Sequence, residues 1–155
     1  MHERYAEVAG RIRAVCAGET DAVAPMATVV CELYHGFDHF DWVGFYRVTG
    51  PEMLKIGPYQ GGHGCLSIPF ARGVCGAAAR ERRTQLVPDV DLFPGHIACA
   101  SSTRSEIVVP VFDGTGALIA VLDVDSDTPA AFDAVDAEAL EAICAEIFAA
   151  VGERA

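Results

Sequence analysis

The sequence predicts an α/β (α+β) fold in a single domain spanning 1–155: a central antiparallel-rich sheet with the N- and C-terminal helices packed on one face. Three observations predict it. Apolar residues recur at helical spacing at both ends of the chain, period-two segments fill the middle, and Gly114-Thr115-Gly116 separates two strongly apolar strands as a hairpin turn.

Taken in order, the first helix carries Tyr5, Val8, Ile12, Val15 and Cys16 at helical spacing, and a second follows Pro25 with Met26, Val29, Val30 and Leu33 on one side. The period then changes. Trp42–Val48 and Met53–Tyr59 read as strands joined by a Gly50-Pro51 turn, and Cys65–Phe70 as a further short strand. Gly73–Arg83 is an Ala-rich helix that runs into a strand at Thr84–Val87. Residues Val90–Thr103 lack periodicity and form a loop or short helical turns. Ser105–Asp113 and Ala117–Asp125 flank the hairpin turn. The last helix is capped by Asp133 and repeats apolar residues at Leu140, Ile143, Cys144, Ile147, Phe148 and Val151.

The composition is 52% hydrophobic and 21% charged over 155 residues, enough to bury a core. A net charge of −11 argues against nucleic acid, which requires clustered Lys and Arg. No apolar run is long enough to cross a bilayer, and the charged N-terminal segment does not resemble a signal peptide. The cytoplasm is therefore the expected compartment, where exposed cysteines serve catalysis, redox chemistry or metal binding rather than a disulfide framework.

Two features carry chemistry. The first is a set of carboxylates. Asp123 and Asp125 lie two residues apart on the last strand and so share a face. An even hairpin loop places Glu106 opposite Asp123, while an odd loop shifts the register by one. Three acids converging between apolar strands repel one another, so the site should hold a cation or keep one acid protonated. A divalent metal and a ligand ammonium both fit, although no EF-hand-like loop is present. The second feature is the cysteines. Cys16, Cys31 and Cys144 lie in apolar helical segments and read as buried. Cys65, Cys75 and Cys99 sit beside glycine or small residues in GGHGCLS, RGVCGAA and GHIACAS, which leaves their thiols accessible. Zinc held by His63, Cys65, Cys75, His96 and Cys99 lacks the usual Cys-x-x-Cys pair and is disfavoured. Thiol redox catalysis needs only convergence in the fold.

The segments GPYQGGHGCLSIPFARGVCGAA, DVDLFPGHIACASSTRSEIVVPV and VLDVDS, between about Asp41 and Asp125, closely resemble the free methionine-(R)-sulfoxide reductase family, whose members are stand-alone GAF domains. The resemblance implies a GAF-like fold and reduction of the free amino acid methionine sulfoxide, R epimer. Cys99 matches the nucleophile, and Cys65 and Cys75 the resolving candidates. Glu106, Asp123 and Asp125 match an acidic pocket, and Trp42 and Tyr46 an aromatic wall. Ala100 departs from the aspartate expected in many relatives. The implied cycle runs through a Cys99 sulfenic acid and an intramolecular disulfide, is restored by a dithiol reductant such as thioredoxin, and requires no metal or organic cofactor.

The residues agree with that chemistry. A sulfoxide must be protonated before a thiolate displaces its oxygen, and Glu106 beside Asp123 suits the acid. Asp125, with Asp123 assisting, suits the substrate ammonium. Backbone N–H groups around Ile97, Ala98 and Cys99 suit its carboxylate, and Trp42 and Tyr46 its methyl end. The competing reading is a non-catalytic GAF small-molecule sensor, which would need neither three exposed thiols nor acids in an anion-binding pocket. A homodimer is left open, and which of Cys99, Cys75 and Cys65 reacts first is not legible.

Overall fold

The computed structural model describes residues 2–96 and 102–152. Four helices and six strands follow one another as α1 (His2–Cys16), α2 (Val23–Gly36), β1 (Trp42–Gly50), β2 (Met53–Gln60), β3 (Ser67–Pro69), α3 (Gly73–Glu81), β4 (Gln85–Val87), β5 (Ser105–Phe112), β6 (Leu118–Ser126) and α4 (Ala134–Ile147). The strands form one antiparallel sheet in the order β3-β2-β1-β6-β5-β4. No helix among the described residues is long and apolar enough to cross a membrane.

Side-chain alternation gives the sheet two different faces. Val43 and Phe45 of β1, Ile107, Val109 and Val111 of β5, and Ala120, Leu122 and Val124 of β6 join Val8, Ile12, Val29, Leu33, Leu140 and Phe148 in one core. The terminal helices and α2 thus cover one face, as expected. The intervening residues Trp42, Tyr46, Val108 and Val121 meet Val74, Cys75, Ala78 and Ala79 of α3 on the other. Helix α3 lies close to the end of β3 because Gly76 has no side chain. A Cβ there would stand 2.7 Å from the Phe70 carbonyl oxygen.

Several sequence readings shift. Helix α2 begins at Val23, two residues before Pro25, because the Asp21 carboxylate accepts the N–H groups of Val23 and Ala24 at 3.1 and 2.8 Å. Val15 is 68% exposed and Cys31 is also exposed, so the apolar faces of their helices are narrower than the spacing suggested. The third strand is Ser67–Pro69 alone, leaving Cys65 in the connection before it. At α4 the expected cap is present: Asp133 accepts from Val135 and Asp136, and Asp136 accepts from the Asp133 N–H, closing a capping box.

The β5–β6 register differs from the even-loop expectation. The turn holds three residues, because Asp113 pairs with Ala117 through an N–H···O bond of 2.9 Å and the Asp113 carboxylate accepts the N–H groups of Thr115 and Ala117. An irregularity then takes the pairing from Phe112↔Leu118 to Val111↔Ala120, leaving Ile119 as an extra residue on β6. The odd loop moves the register by one and the bulge by one more. Glu106 therefore lies opposite Asp125, not Asp123, while all three acids keep the same face.

A buried bond ties the ends of the domain together: the Tyr5 hydroxyl donates to Asp136 Oδ1 at 2.5 Å. Replacing Tyr5 with Phe strips a buried carboxylate of this donor. A loss of about 1–3 kcal/mol is expected in urea denaturation.

Candidate active site

Strand β6 is the axis of the site. On the face covered by α3, Asp125 is flanked by Trp42 of β1 and Glu106 of β5, and Asp123 by Gly44 and Val108. The aromatic wall follows from this register. The Trp42 ring stacks on Tyr46 at 5.9 Å and on Tyr59 at 5.4 Å, and its Nε1 donates to the Gly62 carbonyl at 2.8 Å. Gly44 leaves room for that ring. A Cβ there would overlap Trp42 and stand 2.7 Å from Tyr59 Cβ. Gly44→Ala is therefore expected to displace the indole and raise KM for a ligand on that wall about tenfold, one stacked aromatic contact, with the near-UV circular dichroism of Trp42 changing in parallel.

Trp42, Tyr46, Gly64, Ile68, Cys75, His96, Glu106, Asp123 and Asp125 surround a cavity of about 30 Å³. Its floor is strongly acidic. Burial, then the charges of Asp125 and Glu106, push the Asp123 carboxyl well above the ordinary carboxylate range. Burial and Glu106 do the same to Asp125. Oδ1 of each aspartate is buried and has no hydrogen-bond partner among the described residues. A buried carboxylate oxygen left unpaired is costly, which marks the place where a donor or cation belongs. Burial, followed by the charge of Asp123, also raises the Tyr46 hydroxyl, so Tyr46 remains a neutral donor.

Two histidines line this cavity. His96 Nε2 stands 3.7 Å from Glu106 Oε1, with 17% of its side chain exposed against 8% for Glu106. The His96 segment is anchored on both sides: its N–H donates to the Phe93 carbonyl, and the Gly73 N–H at the start of α3 donates to Gly95. From sequence, His63 and His96 stand out only as zinc ligands, and the pairing of His96 with Glu106 is a finding of the structure. Its place three residues before Cys99 and ten before Glu106 was the available signal.

The cysteines divide differently from the sequence reading. Cys75 is not exposed: it is 3% accessible on the inner face of α3, and burial, then the charges of Asp123 and Glu106, push its thiol up. Cys65 is partly buried and disulfide-bonded, whereas Cys16, Cys31, Cys75 and Cys144 are free. Of the helical cysteines, Cys144 is buried, with a thiol pushed up to about 12, and Cys16 is half-buried. Cys99, Ile97 and Ala98, assigned from sequence to nucleophile and carboxylate binding, lie outside the described residues, as does Ala100.

The profile of the GAF domain family matches residues 17–151. The chain is 47% identical to the free methionine-R-sulfoxide reductase of Neisseria meningitidis, solved in complex with its substrate, with a TM-score of 0.87 over 94% of this chain and 86% of that one. It is 40% identical over 130 residues to the free methionine-R-sulfoxide reductase of Saccharomyces cerevisiae, covering 80% of this chain and 72% of that one. The Escherichia coli enzyme of the same name is 37% identical over 145 residues, covering 94% and 87%. With likeness at this level along nearly the whole chain, the protein belongs to the GAF domain family and, within it, to the free methionine-R-sulfoxide reductases.

Proposed function

We propose that this protein reduces free methionine-(R)-sulfoxide to methionine with its own thiols. One observation carries the reading: two buried carboxylate oxygens, on Asp123 and Asp125, have no hydrogen-bond partner among the described residues, and both residues line the same cavity as the Trp42–Tyr46 wall and Glu106. That arrangement suits an ammonium group next to a short apolar chain. Asp125 and Asp123 take the ammonium, the aromatic wall encloses the methyl-sulfoxide end, and N–H groups at Ile97–Cys99 take the carboxylate.

Cys99 is the nucleophile. Its thiolate attacks the sulfoxide sulfur while Glu106 gives a proton to the oxygen, and His96 links Glu106 to the solvent side. The oxygen then passes as hydroxyl from the substrate sulfur to Cys99: the substrate's S–O bond and the sulfur–sulfur bond made in the attack break, a new S–O bond forms on Cys99, and methionine leaves with Cys99 as the sulfenic acid. A resolving thiol then attacks that sulfur and releases water, forming a disulfide. Cys65 is the better resolving candidate, since it is already disulfide-bonded while Cys75 is free and buried. A dithiol protein such as thioredoxin returns both thiols by exchange.

Thiol counting tests the reading. Reduced protein given the R epimer without reductant is expected to lose two thiols per methionine released, and to spare the S epimer. Methionine release without thiol loss would discard the disulfide cycle. Trp42 is the chain's one tryptophan, so its emission is expected to shift on adding methionine sulfoxide. An unchanged spectrum at saturating substrate would remove Trp42 from the site.

A further inference from the structure

We propose that the reduced protein binds one zinc-like divalent cation through Cys75, Glu106 and Asp123, in the space the substrate ammonium would use. The Cys75 sulfur and one carboxylate oxygen from each acid lie within 4.8 Å of one another, and all three residues are buried. Tetrahedral bonds of about 2.3 Å to sulfur and about 2.1 Å to oxygen put ligand atoms about 3.5 Å apart, so side-chain rotations that move these atoms by about 1 Å close the set.

A second, independent feature points to a cation. Asp123, 5% accessible, lines this cavity and has a buried Oδ1 with no hydrogen-bond partner among the described residues. The cavity has room for an ion at its acidic end. The ligand set is one sulfur and two carboxylate oxygens, and His96, with Nε2 3.7 Å from Glu106, stands at its edge outside the set. That mixture selects zinc and its analogues over magnesium or calcium, which want oxygen alone. The buried Cys75 thiol, an unpromising nucleophile, becomes a competent ligand because coordination removes its proton. Bound metal would exclude the ammonium from Asp123, so zinc acts as a competitive inhibitor and not as a cofactor.

The test titrates chelator-treated, fully reduced protein with Zn²⁺ by calorimetry and with Co²⁺ by absorption, where a sulfur-to-cobalt charge-transfer band reports thiolate ligation. One ion per chain is expected. Its affinity should fall at least about tenfold in Cys75→Ser, Asp123→Asn and Glu106→Gln, each checked for folding by circular dichroism, and stay unchanged in Cys31→Ser. The last variant guards against the surface pair Cys31–His35, whose Sγ and Nδ1 are 3.8 Å apart. No binding, or binding that survives both Cys75→Ser and Asp123→Asn, overturns the site. Free methionine is expected to displace the ion. This arm alone rests on the reductase reading: cobalt binding without displacement would count against the shared ammonium position and leave the metal site standing.

Discussion

Asp123→Asn is expected to make the protein more stable at pH 8 and far less active. The carboxyl group sits under Cys75, two residues from Asp125 on the same face of β6, in a cavity where burial penalises its ionised form. Its folded-state pKa is raised above the ordinary value of about 3.9, so the native state holds a proton that the unfolded chain gives up. The sign follows directly. This group's contribution to stability is fully present below the unfolded pKa and is lost as pH rises toward the raised folded one. Asn carries no such cost and keeps the shape. A gain of about 1 kcal/mol, or about 3 °C in Tm, is expected at pH 8, with little gain at pH 4. Urea denaturation at the two values reads the difference. Because Asp125 is raised by the same causes, the variant retains part of the slope.

The activity should move the opposite way. An ammonium held by two carboxylates in a poorly solvated site loses a charge-assisted contact when one becomes an amide, which costs about 10–100-fold in kcat/KM. Glu106→Gln affects a different step. If Glu106 is the proton donor proposed for the sulfoxide oxygen, its loss is expected to lower kcat by about 10²–10⁴ with KM nearly unchanged. Equal effects of both variants on KM alone would assign Glu106 to binding and require another acid.

The carboxylate pair was legible because a strand has a period of two: Asp123 and Asp125 share a face in any register. Their partner was not, because that depends on a three-residue turn and an extra residue at Ile119, neither encoded in an apolar pattern. Glu106 still reached the correct face because the two offsets together preserve parity. Cys75 shows the opposite failure. Glycine and alanine around a cysteine suggest access in an isolated stretch, but on α3 those small residues bring the helix close to the sheet and bury the thiol. Nor did local periodicity show that His96 would face Glu106, since that contact joins a loop to a strand.

Cys99→Ser is expected to reduce turnover of free methionine sulfoxide by about 10⁴ or more, because a serine hydroxyl at neutral pH neither attacks the sulfoxide sulfur nor forms the sulfenic acid. Cys65→Ser should behave otherwise. Its Cys99 thiolate remains, so one methionine per chain is released in a single burst and the sulfenic acid accumulates, trappable by a carbon nucleophile such as dimedone. Multiple turnover with a dithiol protein stops. Cys75→Ser separates the two resolving routes. With Cys65 disulfide-bonded and Cys75 free on the inner face of α3, this variant should keep both the burst and steady-state turnover within about tenfold of the parent. Were Cys75→Ser, rather than Cys65→Ser, to halt after one turnover, Cys75 would have to reach Cys99 from a fully buried position. Helix α3 would then have to move during each cycle, and faster hydrogen exchange in Gly73–Glu81 after sulfoxide addition would reveal that movement.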